Sequence, residues 1–385
     1  MRLRAAVSNS SSFCFQAHPR VNRRLACAAT TLPLSSLIDF TLSRRADLTR
    51  PLLARHFGFS RIPMKIWIGT DEAGYGPNLG PLVIAATVWS FDNETNETSS
   101  TPDFYQYLDH CITRSPEQGE RLAMADSKQL YTPGKGLAGL EPGLLSALRV
   151  ANLNAASWSE LWQAVSPTSD AERAELPWHT GFDLALPLAL PHDRIIRGAE
   201  RLQAGLQTAS VRLLGIEAVA LFPRHFNRRV AATGSKGAVL SEETLHLIHR
   251  QLLRHRAGPA WIQCDKHGGR NRYAALLQRT FPDEWIEVLE EGRQQSRYAW
   301  GEADQRTEIR FTVHGEDFLP AALASMTAKY LRELAMLPFN QFWQKHLPGL
   351  KPTAGYPVDA RRFQNEIADK QRELGIPAER LWRAC

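Results

Sequence analysis

From residue 66 onward, apolar and polar positions alternate between short β-prone runs and longer helical stretches. Ile66, Trp67 and Ile68 open one strand, and residues 82–89 form a second, joined to it by a turn rich in Gly and Pro. Residues 93–101 are polar and read as a loop, and residues 103–112 as a short helix. Further along, residues 194–212 place apolar side chains at helical spacing, residues 215–221 are strand-like, and residues 241–255 form another helix. Trp261, Ile262, Gln263 and Cys264 read as a buried strand, followed by a helix over residues 271–281. Residues 285–290 and 308–313 read as two strands with a polar connection between them. Leu319, Leu323, Met326, Tyr330 and Leu334 recur at three and four, which predicts a long helix with one apolar face. Ser325, Lys329 and Glu333 form the stripe beside that face, and residues 358–374 make a charged C-terminal helix. Strands alternating with helices put the chain in the α/β class.

Composition narrows the picture little, but charge changes it. Of 385 residues, 43% are hydrophobic and 22% charged, as in an ordinary globular protein. No apolar run is long enough to span a bilayer, so no membrane partner is expected. The five cysteines show no paired spacing, which points to reduced thiols in the cytoplasm, without a zinc site or a disulfide framework. Residues 1–63 hold ten Arg, no Lys and two Asp, hence +8, which leaves −2 for residues 64–385 out of the chain's +6. Any nucleic-acid contact must therefore come from a local patch. The first 63 residues have three readings: upstream sequence from a mis-assigned start, which is favoured, then a transit peptide, then a flexible basic arm.

Candidate chemistry begins in the turn after the first strand. Asp71 and Glu72 end a strongly strand-like run, although Asp and Glu are poor strand formers. Carboxylates buried there need a positive partner, and a divalent cation is the economical one. Neighbouring strand residues point to opposite faces, so the two acids share a site only if the strand bends just there. Gly74 and Gly76 make such a bend cheap. The competing reading is a surface hairpin with its acids in water. Asp265 ends the buried strand at residues 261–264, where α/β folds place ligand sites. Lys266, His267 and Arg270 follow it and suit a phosphate; His267 reads equally well as a turn residue. Ser127 and Lys128 form a reasonable phosphate-contact pair, or else a helix cap followed by a solvated lysine. Glu333 sits at the edge of the apolar face and can point inward; the alternative is a surface pair with Lys329. Residues 234–237, Gly-Ser-Lys-Gly, lack the order a phosphate loop needs.

The run Asp-Glu-Ala-Gly-Tyr-Gly-Pro-Asn-Leu-Gly-Pro-Leu-Val, residues 71–83, resembles the opening motif of the type 2 ribonucleases H, the bacterial HII and HIII enzymes. The family reads Asp-Glu-Ala-Gly-Arg-Gly-Pro, two variable residues, then Gly-Pro and apolar residues, so Tyr75 stands where the family has Arg. Residues 126–130 are similar to its Asp-Ser-Lys-Lys-Leu element. Residues 324–333, Ala-Ser-Met-Thr-Ala-Lys-Tyr-Leu-Arg-Glu, are similar to its Ala-Ser-Ile-Ile-Ala-Lys-Val-x-Arg-Asp. Glu at the last place is the HIII pattern and Asp the HII pattern. Gly355-Tyr356-Pro357 resembles the family's Gly-Tyr-Gly or Gly-Tyr-Pro, whose Tyr stacks on the sugar at an RNA–DNA junction.

The resemblance implies a ribonuclease H-like fold, a mixed central β-sheet flanked by helices, over residues 64–385. At about residues 134–255 it fades into an inserted segment rich in Trp and Pro. It also implies four catalytic, metal-binding acids, Asp71, Glu72, Asp265 and Glu333. Oxygen-only ligands favour two Mg²⁺ or Mn²⁺ ions. Gly74, Tyr75, Gly76, Ser127, Lys128, Lys266, Lys329 and Tyr356 become the substrate contacts. The implied activity is endonucleolytic cleavage of the RNA strand of RNA–DNA hybrids, or at ribonucleotides embedded in DNA. It leaves 5′-phosphate and 3′-hydroxyl ends and belongs to a monomer serving DNA replication and repair. Two other readings stay open: a two-metal nuclease of the same fold acting on branched DNA, and a non-catalytic nucleic-acid-binding protein.

Overall fold

Runs with no polar face become the middle of a sheet. The computed structural model of the protein describes residues 64–92, 102–115, 119–132, 134, 136–313 and 315–384. The basic extension at residues 1–63 lies outside the described residues. The strands are β1 (Ile66–Ala73), β2 (Leu82–Phe91), β3 (Ile112–Thr113), β4 (Leu122–Ala123), β5 (Val211–Leu221), β6 (Ala260–Asp265), β7 (Glu287–Glu291), β8 (Gln295–Trp300) and β9 (Thr307–Thr312). Seven of them form one mixed sheet in the order β5-β2-β1-β6-β9-β8-β7, while β3 and β4 pair separately. β2 runs antiparallel to both of its neighbours, β1 and β5, and β6 and β9 run parallel to β1. Every residue of β2 is buried, as its unbroken apolar run requires of a central strand.

The first helices are α1 (Phe104–Tyr107), α2 (Ser127–Leu130), α3 (Glu141–Val150), α4 (Trp158–Val165), α5 (Asp170–Ala174) and α6 (His192–Thr208). They are followed by α7 (Pro223–Thr233), α8 (Lys236–His255), α9 (Ala274–Thr280), α10 (Leu319–His346), α11 (Pro357–Glu373) and α12 (Ala378–Leu381). α8 and α9 cover one face of the sheet, burying Ile66, Ile68, Ile262 and Cys264 against Leu245, Ile248 and Leu277. α10 covers the other face, with Trp67, Val83 and Ala85 beneath it. The mixed sheet flanked by helices is the fold class expected from the sequence. None of the described helices is long and apolar enough to cross a membrane.

Three local expectations differ from the structure. The ladder between β1 and β2 runs unbroken to the pair Ala73–Val83, so the strand does not bend between Asp71 and Glu72. It turns at Gly74, whose φ of +91° suits glycine. The polar connection read at residues 291–307 contains β8. Its buried Ser296, Tyr298 and Trp300 alternate with residues such as Arg297, which bonds Glu308 across the ladder at 2.9 Å. The helix predicted to have one apolar face is buried all round from Leu319 to Ala328.

That burial comes partly from α2 and partly from residues 134–255, which supply both β5 and an outer helical layer. Tyr330 donates to the fully buried Glu141 at 2.9 Å, and Glu141 also accepts the backbone N–H groups of Leu188 and Ala189. Pro338 lies inside α10 and has no N–H to give the carbonyl four residues back, at Leu334. The indole N–H of Trp158 takes that place, donating to the Leu334 carbonyl at 2.9 Å. A buried carbonyl left without a donor costs about 1–3 kcal/mol. Trp158→Phe is therefore expected to lower urea-melt stability by at least that much. The loss should shrink in a Pro338→Ala background, where the helix regains its own donor. Equal losses in both backgrounds would refute this account of the carbonyl.

Candidate active site

The β1–β6 ladder ends at the pair Thr70–Cys264. Beyond it β1 stays with β2, while β6 stays with β9 through Asp265–Thr312. The sheet thus splits between two parallel strands at their C-terminal ends, and Asp71 and Asp265 are the first residues past the split. Such a place is where open α/β sheets bind ligands. Alternation puts Trp67, Asp71, Trp261 and Asp265 on the α10 side, and Trp67 stacks on Trp261 at 5.2 Å.

Burial pushes the Asp71 carboxyl up to about 7. Bonds from Ser325 and from the Glu72 backbone pull it down, and the charges of Asp126 and Asp265 push it further up. Asp126 caps α2 and is buried; its Oδ1 accepts the Ser325 hydroxyl at 2.9 Å. Asp265 accepts the backbone N–H of Lys266 at 2.9 Å. Glu72 belongs to the other face, where its charge acts on the Cys264 thiol and on the Tyr75 hydroxyl. Glu333 lies about two helical turns beyond Ser325, or about 12 Å along the axis. It bonds Lys329 Nζ at 2.6 Å and accepts the Tyr131 hydroxyl at 3.1 Å, with Arg332 at 3.6 Å. Among the described residues, no three acidic, His or Cys side chains are close enough to enclose a metal ion.

Two buried guanidiniums shape the turn at residues 74–81. Arg332 donates to the Ala354 carbonyl at 2.9 Å and would collide with any side chain at position 74. Arg383 donates to the carbonyls of Gly74 and Pro77. Tyr75 leans toward Gly268 and the start of α8, with Lys236 Nζ 4.9 Å from its ring centre. Tyr356 is exposed and faces Gly76.

The remaining expected contacts separate by exposure. Lys128 projects into solvent, its side chain 80% exposed and 3.6 Å from Asp126. Ser127 is buried, its hydroxyl 3.0 Å from that of Ser325. Lys329 lies 3.8 Å from the ring centre of Tyr131. Lys266 is held within its own turn: its ammonium meets the carbonyls of Arg270 and Gly292, the Asn271 side chain and the Ser296 hydroxyl. His267 is buried, bonds Ser241 at 3.1 Å, and is pushed down to about 3, so it is neutral and serves packing. Sequence reasoning passed over Asp126, Tyr131, Arg332 and Arg383. Asp126 stands in the Asp-Ser-Lys run, which resembles the family element but singles out only Ser127 and Lys128 for a contact.

No protein-family model matches the chain, and no curated protein matches it. Three solved structures that it resembles are ribonucleases H. One is the PCNA complex of ribonuclease HII from Archaeoglobus fulgidus, at 16% identity over 83% of this chain and 93% of that one, TM-score 0.34. A second is ribonuclease H2 from Pyrococcus horikoshii OT3, at 15% over 82% and 92%, TM-score 0.39. The third is Bst-RNase HIII in complex with Mn²⁺, at 14% over 84% and 67%, TM-score 0.34. At these values, function has to be argued from the residues themselves.

The raised Asp71 pKa sets a pH dependence. A carboxyl held near 7 when folded, against its ordinary 3.8 when unfolded, costs nothing below about pH 4, where both states are protonated. The cost grows as pH rises through this window and levels off above 7, at up to about 4 kcal/mol. Asp71→Asn is therefore expected to gain stability over the unaltered chain between pH 4 and 8 in metal-free buffer, measured by thermal melts. A constant difference across that range would contradict the assigned crowding.

Proposed function

We propose that the chain is a metal-dependent endoribonuclease of the ribonuclease H kind. Its substrate is the RNA strand of an RNA–DNA hybrid or a ribonucleotide within DNA. The observation that carries this reading is the split of the sheet, which leaves Asp71 and Asp265 at the ends of adjacent parallel strands, with the charge of Asp265 raising the Asp71 carboxyl. The donor set suits a hard cation: all side-chain oxygens, with a desolvated carboxyl at its centre and negative neighbours on both sides.

Asp71 and Asp265 would hold the ions, with Glu72 reaching round the split from the opposite face and Glu333 coming from α10 once its bonds to Lys329 and Tyr131 open. Bound Mg²⁺ or Mn²⁺ supplies activation of water and stabilisation of the leaving 3′-oxygen. The chain's own groups bind and orient the strand. Lys128 and Lys329 offer positive charge beside the acids, as a body carrying −2 requires. Tyr356, exposed beside Gly76, offers a face on which a sugar or base can stack. The backbone at residues 74–76, held by Arg383 at Gly74 and packed against by Arg332, would read the ribose 2′-hydroxyl, the group that separates RNA from DNA.

The test uses the full chain with labelled RNA–DNA hybrid, DNA carrying one ribonucleotide, and all-DNA duplex, in Mg²⁺ or Mn²⁺. Cleavage is expected on the first two, and Asp71→Asn or Asp265→Asn should lower it by about 10²-fold or more. Because the hydroxyl is read by main chain, Tyr75→Arg should keep the preference for ribose. Cutting of all-DNA duplex at the same rate as hybrid would instead favour a branched-DNA nuclease. Metal-dependent cutting that survives both acid variants would show the acids are misassigned.

A further inference from the structure

Tyr75 is half-buried, and its hydroxyl lies 3.0 Å from the place a Cβ would take at Gly268 and 3.5 Å from the one at Gly237. The phenol thus reaches into the gap between the turn at residues 267–270 and the start of α8. The Arg270 N–H closes that turn by donating to the His267 carbonyl at 3.1 Å, and Gly269 within it faces open space. Lys236, the first residue of α8, holds its ammonium 4.9 Å from the Tyr75 ring centre. Among the described residues, the Tyr75 hydroxyl has no hydrogen-bond partner, and neither the Lys236 ammonium nor the Arg270 guanidinium has an acid within 4.0 Å. Cations close by in the chain are engaged: Arg229 pairs with Glu242 and Glu243, Arg272 with Glu291, and Lys266 with the carbonyls of Arg270 and Gly292. Glu72 brings one negative charge toward the phenol, and Arg270 an opposing positive one. An ammonium can only donate, and a phenol can donate to an anion. The gap therefore offers donors and positive charge for which the chain supplies no acceptor.

We propose that Tyr75 and Lys236 form a contact for one backbone phosphodiester of a nucleic-acid strand. The Tyr75 hydroxyl donates to a phosphate oxygen, the Lys236 ammonium pairs with its charge, and Arg270 adds positive charge from the adjoining turn. Lysine and tyrosine side chains commonly make such contacts, which position a strand without reading its sequence. Residues 64–385 carry −2 overall, so a strand has to be held by local groups of this kind. The contact rests on the proposed function only in taking nucleic acid as the ligand; it requires neither a metal ion nor cleavage.

Fluorescence anisotropy of the full chain with a labelled RNA–DNA hybrid and an all-DNA duplex of equal length, in EDTA across a salt series, tests this. Log affinity falls linearly with log salt, and each cation on a phosphate adds about one to the slope. Lys236→Met is expected to lower the slope by about one on both duplexes, and Lys236→Arg to keep it. Tyr75→Phe removes a donor without charge, so its Kd should rise about tenfold at an unchanged slope. Arg149→Met removes an exposed charge from α3 in the outer layer and should alter neither quantity. Every variant keeps the basic extension, so differences between them report the substituted group alone. Inorganic phosphate at equal ionic strength should compete no better against the unaltered chain than against Lys236→Met. An unchanged slope in Lys236→Met, an equal loss in Arg149→Met, an unchanged Kd in Tyr75→Phe, or a loss confined to the hybrid would each overturn the proposal. Phosphate competition that depends on Lys236, or no duplex binding by the unaltered chain, would overturn it as well. The expected losses without cleavage of any substrate would uphold the contact and sink the ribonuclease reading. Cleavage of hybrid by a chain whose Lys236→Met slope is unchanged would do the reverse.

Discussion

The backbone of α10 lies directly on the backbone of β1, and Gly69 is what allows it. A side chain at that position would run into the main chain of Pro320 and Ala321. The Thr87 hydroxyl pins the same point by bonding the Pro320 carbonyl at 2.7 Å. From this contact the two elements run side by side in register. The eleven steps of helix from Ala321 to Arg332 and the five steps of strand from Gly69 to Gly74 each span about 16 Å. Ser325 accordingly meets Asp71, and Arg332 meets Gly74. The same register carries Glu333 past Asp71 to the level of the glycine turn.

The site that results holds charge against the grain of its surroundings. Asp71 sits in a desolvated position near the charges of Asp126 and Asp265, an arrangement that costs stability at neutral pH. Asp71 and Asp265 are carried by strand ends, and Glu333 by the part of α10 beyond the stretch that is buried all round. The turn beside them is stiffened by Arg332 and Arg383, guanidiniums whose fixed fork suits holding carbonyls.

What could be read in advance followed physical locality. Apolar runs gave β1, β2, β6 and α10, and the end of a buried strand singled out Asp71 and Asp265. Features that depend on distant partners were hidden. β8 escaped because Gln295 and Arg297 masked the inward alternation of Ser296, Tyr298 and Trp300. Asp126 read as an ordinary cap, since nothing local shows that Ser325 closes over it. The bend assigned to the acid pair falls one residue later than the strand's end at Ala73, because pairing with β2 outlasts pairing with β6. Lys266 had the right charge and neighbourhood, but four acceptors from its own turn, the β7–β8 turn and β8 surround its ammonium.

The indole that stands in for a missing helical donor ties the outer layer to the long helix at the Leu334 carbonyl. A trimmed version of this protein, with residues 134–210 replaced by a short linker, would expose a defect in the middle of its longest helix. Anyone seeking a shorter version of the chain would have to rewrite position 338 first. The imino acid there makes the long helix depend on the layer laid over it.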